Sequence, residues 1–154
     1  MKAGDVMTTD VPVVSMKTPV AEAVRMLRKN FGDESYLNAA PGLVVVNERG
    51  EVAGVLSPLS VMKELLEVSR SMKRPARPDA AFYDALWAAI KDKLVEEIMD
   101  WQAISVTEDA QLLDVADLFV KHRFQRIPVV KNSRVVGIIY RSRLLFAMTA
   151  GLLD

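Results

Sequence analysis

The chain is expected to fold as an α+β protein built from two β-α-β-β-α units packed with pseudo-twofold symmetry. Three observations carry that expectation: an internal duplication, the same order of strand and helix signals in each copy, and an apolar content of 51% over 154 residues, high enough for a packed core. A duplication is the first thing to seek, because missing it misassigns the whole fold. Residues 3–27, AGDVMTTDVPVVSMKTPVAEAVRML, lie without a gap over residues 95–119, VEEIMDWQAISVTEDAQLLDVADLF. Met7 falls on Met99, Val14 on Val106, Glu22 on Asp114 and Leu27 on Phe119. Farther on, VVVNERGEVAGVLSPLSVM matches PVVKNSRVVGIIYRSRLL, with Gly54 over Gly137 and one residue fewer in the second turn.

Each copy opens with a short extended segment, Val11–Val14 and Ala103–Val106. A turn follows, and then apolar residues recur at helical spacing: Val20, Ala23, Val24 and Leu27 in the first copy, Leu112, Val115, Ala116 and Phe119 in the second. Two β-rich runs come next. Leu43–Val46 and Val52–Leu56 are joined by NERGE; Ile127–Val130 and Val135–Ile139 are joined by KNSR, so each pair reads as a hairpin. A closing helix starts near Pro58 and near Arg141, and proline in a first helical turn forfeits no internal hydrogen bond. One such unit of about 50 residues would leave its sheet face in water, so the copies are expected to pack on each other.

The first copy spans residues 1–68 with an insertion, GDESYLNAA, around 32–40, placed where a lid, a partner contact or a tolerated surface loop could stand. Residues 95–154 form the second copy. The linker, 69–94, begins as a basic, proline-broken loop and continues as a helix over about 79–94, with Asp79 as its N-cap and Phe82, Leu86, Ile90 and Leu94 on one face. Trp87 lies close to that stripe and suits a core or dimer contact better than ligand stacking.

Charge and composition exclude several functions. Lys plus Arg and Asp plus Glu both total 20, so net charge gives no general attraction to nucleic acid or membrane. There is no cysteine, which removes disulfide scaffolds and thiolate zinc sites and suits a reducing compartment. The opening residues lack the apolar core of a signal peptide, and no run reaches the roughly 18 apolar residues of a membrane helix. A cytoplasmic, soluble chain is expected. His122, the single histidine, has no partner at ligand spacing, and the pairs Glu96-Glu97 and Asp114-Asp117 lack a nucleophile or metal motif beside them. Catalysis is therefore disfavoured, and so is nucleic-acid binding by the Arg70–Arg77 loop, since no aromatic stacking series accompanies it.

The double occurrence of "DVMT" and "EIMD", followed by "LVVVNERGEVAGVLSPLSVM" and "RIPVVKNSRVVGIIYRSRLL", resembles a tandem pair of CBS (cystathionine β-synthase) domains, the arrangement called a Bateman module. The resemblance covers nearly the whole chain. It implies two copies packed sheet to sheet, two clefts between them, and frequent pairing into a homodimer. It also implies AMP, ADP, ATP or S-adenosylmethionine as possible ligands, no required cofactor, and regulation of a separate protein, because no effector domain is present in the chain. Contacts carried over from the family fall on Val13, Val14, Val44, Ser57 and Ser60 in the first copy and on Ile104, Ser105, Pro128, Tyr140, Arg141 and Arg143 in the second.

Nucleotide-binding relatives commonly follow the glycine with two or three apolar residues, then a Thr or Ser, two variable residues and an Asp, the hydroxyl facing phosphate and the carboxylate holding the ribose. Here the first copy keeps Ser57 but has Ser60 in the carboxylate position, and the second has Tyr140 and Arg143. Hydrogen bonds to a charged group contribute about 1.5–3 kcal/mol each, so losing that carboxylate could weaken adenosine binding roughly ten- to a thousandfold. From Leu118 to Leu153 the chain carries Lys121, Arg123, Arg126, Lys131, Arg134, Arg141 and Arg143 and no acid. Arg141 and Arg143 stand at the start of the closing helix, where free N–H groups already favour anions, so the second cleft is expected to tolerate an anion. The bland alternative, solvation or pairing with Asp100, Asp114 and Asp117, weighs about equally for these two. Tyr140 could stack on a base or fill the cleft, and filling is the commoner use of an aromatic ring.

Two functional classes remain: a sensor for an anionic adenosyl ligand, and a dimerisation or protein-interaction module whose clefts are degenerate.

Overall fold

The computed structural model describes residues 1–30, 42–102 and 104–153. The insertion at 32–40 and Ala103 lie outside these residues. Along the chain come α1 (Ala3–Val6), β1 (Val13–Ser15), α2 (Val20–Asn30), β2 (Leu43–Val46), β3 (Val52–Leu56), α3 (Pro58–Ser71), α4 (Ala80–Ile90), α5 (Val95–Ile98), β4 (Val106–Thr107), α6 (Leu112–His122), β5 (Arg126–Lys131), β6 (Arg134–Tyr140) and α7 (Arg141–Met148). A short 3-10 turn, Ala150–Leu153, follows.

Two three-stranded sheets result, ordered β1-β2-β3 and β4-β5-β6. In each the first strand runs parallel to the second, and the second pairs antiparallel with the third. The parallel pair needs a crossover, supplied by α2 or α6; the antiparallel pair needs only a turn. The turns differ as their lengths require. Asn132 and Ser133 both have positive φ, 53° and 67°, the pattern of a two-residue hairpin turn. The longer first turn puts its positive φ on Gly50, and Asn47 Oδ1 accepts hydrogen bonds from the backbone N–H of Arg49 and Glu51.

The sequence copies are not the packing units. Helix α1, at the start of the first copy, contributes Ala3 and Val6 to a core otherwise made of second-copy residues, among them Val115, Phe119, Ile127 and Ile139. Helix α5, at the start of the second copy, contributes Val95 to the core around Val20, Leu43, Val45 and Leu56. Backbone bonds repeat this exchange position by position. Val95 N donates to Thr18 O and Ala3 N to Ala110 O, both at 2.9 Å; Asp100 and Val55 exchange two bonds, and Thr8 and Ile138 exchange two, all at 2.9 Å. Each bond has a counterpart at the matching position of the other copy, which is pseudo-twofold symmetry expressed in hydrogen bonds.

Two glycines at equivalent positions of the repeats show how close the exchanged segments come. A Cβ on Gly54 would run into the Asp100 carbonyl oxygen, and one on Gly137 would run into the Met7 side chain. A side chain at Gly54 would meet backbone, and one at Gly137 a side chain, where the incoming segments pair along the open edges of β3 and β6.

Asp79 caps α4 by accepting from Phe82 N at 2.9 Å, as its sequence suggests. The helix ends at Ile90, four residues short of the expected Leu94. Carbonyls of Lys91 and Lys93 accept from the N–H groups of Ala21 and Val20, so they cap α2 where continued helix would have used them internally. Leu86 and Ile90 are buried and Trp87 packs beside the first core, which places the linker helix on its own module.

Candidate functional site

Directly paired residues on neighbouring strands face the same side of a sheet, so register sorts the seam from the cores. In the first sheet Val14 and Val45 point into the first core, while Val13 and Val44 share the opposite face. In the second, Ile127, Val129 and Ile139 belong to the second core, leaving Arg126, Pro128, Ile138 and Tyr140 toward the seam. Val44, Ile138 and Tyr140 pack together there, with Val11, Val46, Val52 and Val135 around them. At one end of the seam the equivalent positions Glu51 and Arg134 pair as an antiparallel bridge.

Beside the first sheet, Ser57 ends the strand and caps α3. Its Oγ accepts from Ser60 N at 3.4 Å, Ser57 N donates to Ser60 Oγ at 3.2 Å, and the two hydroxyl oxygens lie 3.3 Å apart. This reciprocal cap satisfies two amides that a helix start leaves open. Ser60 is buried within it. Ser57 is half-buried, so its hydroxyl keeps bonding capacity beyond the cap, and Val13 is 38% exposed. Val14 can offer only backbone, because its side chain is in the core.

The second copy is built differently at the matching positions. Tyr140, equivalent to Ser57, is only 7% exposed and makes no side-chain cap. Arg143 is half-buried, and its Nε donates to Val6 O at 2.8 Å, which ties α7 to the exchanged α1. Arg141 is exposed on the outer face of α7, where with Phe119, Val120, Leu144, Leu145 and Met148 it lines a groove of about 630 Å³. Ile104 and Ser105 are half-buried just before β4, and Pro128 is buried on the seam side of β5. The structure thus brings Val44 and Tyr140 together, and leaves Arg141 and Arg143 in two different environments.

Arg126 is the seam residue that sequence reasoning counted only as a charge. It is 5% exposed, pairs in register with Tyr140, and holds its Cζ 5.7 Å from the centroid of that ring, within cation–π range. Its guanidinium occupies the space a side chain on Gly42 would need. Gly42 precedes Leu43, the partner of Leu56, so it sits at the same end of the first sheet as Ser57. Burial lowers the Arg126 pKa and Tyr140 opposes that shift, and arginine stays charged even so. The signal was available in the duplication: Gly42 and Arg126 occupy equivalent positions, and a missing side chain facing the longest cationic one invites contact across the axis. His122, at the end of α6, stacks on Phe124 with centroids 5.0 Å apart, and no group of acids and histidine suited to a metal occurs among the described residues. No helix among them is long and apolar enough to cross a membrane.

Two α+β repeats that exchange their leading turns and face each other across a seam define a tandem-repeat module. The chain belongs to the CBS domain family, whose pattern matches residues 3–67 and 95–150. Solved structures agree with that membership. A CBS domain-containing protein of unknown function from Kribbella flavida is 26% identical, covers 97% of this chain and 99% of its own, and superposes with a TM-score of 0.73. The cytosolic domain of the Mg2+ channel MgtE, solved in complex with ATP, is 27% identical over 95% of this chain and 48% of its own, with a TM-score of 0.66. CBSX2, solved in complex with AMP, shares the fold at 23% identity, a TM-score of 0.70 and 98% coverage of both chains.

Proposed function

We propose that this chain is a regulatory, non-catalytic ligand-sensing module. It takes an adenosine-type nucleotide or a related anionic ligand, AMP, ADP, ATP or S-adenosylmethionine, in the clefts between its repeats, and it modulates a separate cytoplasmic partner as a homodimer. The observation that carries this reading is the Arg126 guanidinium laid across the seam onto Gly42, at the sheet end that bears Ser57. A planar cation reaching the sheet end that bears a half-buried hydroxyl suits an oxyanion, and the partly exposed Val13 offers apolar surface to a base. The ATP complex of the MgtE cytosolic domain supports nucleotide as the ligand class.

Occupied clefts would couple to regulation because each core contains a segment of the other copy. A ligand wedged at the seam acts on both repeats at once, and it shifts the module only by its difference in affinity between two packings.

A thermal-shift panel of AMP, ADP, ATP, S-adenosylmethionine and NADH tests the reading. At ~100 times its dissociation constant a ligand stabilises the fold by about 2.7 kcal/mol, and at least one member of the panel is expected to do so. Silence from the whole panel favours the second reading, a dimerisation or interaction module with ligand-free clefts. The buried Tyr140 and the exposed Leu113, Val120, Leu145 and Phe146 on the outer helices speak for that alternative.

A further inference from the structure

The segment between the repeats builds a surface that the repeats themselves do not supply. The family pattern stops at residue 67 and resumes at 95, and the helix in between, α4, packs back against α3. Met62, Leu65 and Leu66 of α3 recur at helical spacing, Tyr83, Leu86 and Trp87 of α4 stand opposite, and an apolar groove of about 840 Å³ runs between them. From Met62 to Ser69 it extends roughly 10 Å at about 1.5 Å per residue, the span of the i, i+3, i+4 and i+7 anchors of one docked helix. Met62, Leu66 and Tyr83 are exposed. The Ser69 hydroxyl donates to Leu66 O at 2.7 Å, so its proton is already used.

The wall formed by the α3–α4 connection, where Arg74, Pro75 and Pro78 line the groove, is cationic. Residues 68–78 contain Arg70, Lys73, Arg74 and Arg77 and no acid. Arg70 is taken up by Glu67, whereas Lys73, Arg74 and Arg77 are exposed and form no ion pair among the described residues. The acids of this helix pair are largely engaged: Glu64 with Lys93, Glu67 with Arg70, and Asp79 with the α4 amide it caps, which leaves Asp84. Pro75 and Pro78 fix two backbone angles of the connection, which lowers the entropy cost of holding the cations in place.

We propose that this groove docks an amphipathic helix of a partner protein, its apolar face seated between α3 and α4 and its acidic residues against Lys73, Arg74 and Arg77. A trough between two helices suits the ridge of a third, whereas a lipid surface calls for an apolar face that protrudes. A twofold contact of the groove with itself would bring in the same three cations twice, with only Asp84 to meet them. The proposal goes beyond the ligand-sensing reading: it gives the regulated partner a place to bind and requires no ligand in the clefts.

The probes are three synthetic peptides of about 18 residues, five helical turns, with the same leucine stripe and an acidic, neutral or basic remaining face. Trp87 is the reporter in full-length Trp101→Phe protein, since these are the two tryptophans of the chain. The acidic peptide is expected to shift Trp87 emission to shorter wavelength and to bind about tenfold or more tighter than the basic one at low salt, a difference that shrinks as salt is added. Leu66→Glu and Tyr83→Glu, both at exposed positions, each weaken binding about tenfold or more. Lys73→Glu, Arg74→Glu and Arg77→Glu together reverse the preference in favour of the basic peptide, and this arm leaves the helices unaltered. Absence of binding by any peptide, or equal affinity for the acidic and basic ones, overturns the proposal. So does a dimer that Leu66→Glu dissociates in sedimentation, which makes a second copy the occupant, or retention on phosphatidylserine vesicles that Leu66→Glu abolishes, which makes it a lipid surface. Nucleotide-induced thermal shifts are read separately on the same proteins, so failure here leaves the sensing reading standing.

Discussion

Arg143 Nε donates to the carbonyl oxygen of Val6 at 2.8 Å across a sequence separation of 137 residues. The bond joins the first turn of the chain to its last helix, and it gives a structural task to a side chain that the family pattern would place against a ligand. Arg143→Ala is expected to lower stability by about 1–3 kcal/mol, the cost of leaving a partly buried carbonyl without its charged donor. Urea denaturation reads that loss. AMP and adenosine affinities should be unchanged; a loss confined to AMP would return Arg143 to the cleft.

The exchange of leading turns predicts that damage crosses between copies. Val6 is 3% exposed in the second core and Val95 is fully buried in the first. Val6→Ala and Val95→Ala should each cost about 2 kcal/mol through lost burial and a small cavity. Hydrogen-exchange protection should fall first in β5 and β6 for Val6→Ala and first in β2 and β3 for Val95→Ala. Loss of protection within the mutated residue's own sequence copy would contradict the exchange.

Gly54 and Gly137 are equivalent in sequence, yet alanine should cost different amounts at the two. At Gly54 the new methyl meets the Asp100 carbonyl, which is backbone held in place by the paired bonds with Val55; at Gly137 it meets the Met7 side chain, its Sδ first. Overpacking against fixed atoms costs about 1–3 kcal/mol, and a flexible thioether can move aside for less. Gly54→Ala should therefore be the more destabilising in thermal melts. Met7→Ala should offset most of the cost of Gly137→Ala in a double-mutant cycle.

Lys93 carries a pH prediction. Its ammonium donates to Glu64 Oε1 at 2.5 Å, and that hydrogen bond first, with the Glu64 charge, raises its pKa above the ordinary 10.5. A raised cationic pKa stabilises the fold fully below the unfolded value and loses that contribution as pH rises through the folded one. Stability of the wild type should consequently fall more than that of Glu64→Gln between pH 10 and 12, in chemical denaturation at fixed temperature. Identical profiles would show that the pair is not coupled to folding.

Strand, helix and hairpin order were readable directly, because alternation, 3.6-residue spacing and turn residues are local properties repeated twice in one chain. Val20, Ala23 and Leu27 face a core as their spacing implies, Asp79 caps α4, and Pro58 opens α3. The family could be recognised for the same reason: duplication doubled each signal and kept the order. Element ends were less accessible. Helix α4 stops at Ile90 because the Lys91 and Lys93 carbonyls are used by α2, a partner about 70 residues away in the chain and close only after folding.

By itself the sequence determined the class of the molecule, two α+β repeats with a seam, and it named the positions at which nucleotide-binding relatives place their contacts. Which copy each leading turn serves, and where each arginine points, were decided by tertiary structure. Arg126, Arg141 and Arg143 are the same residue within an 18-residue stretch, yet one is buried across the seam, one is exposed on the outer helix face and one is bonded to Val6. A side chain's charge is a property of its type. Its role depends on what lies opposite it, and here that is set by residues such as Gly42 and Val6, which the chain brings near only when the two halves dock.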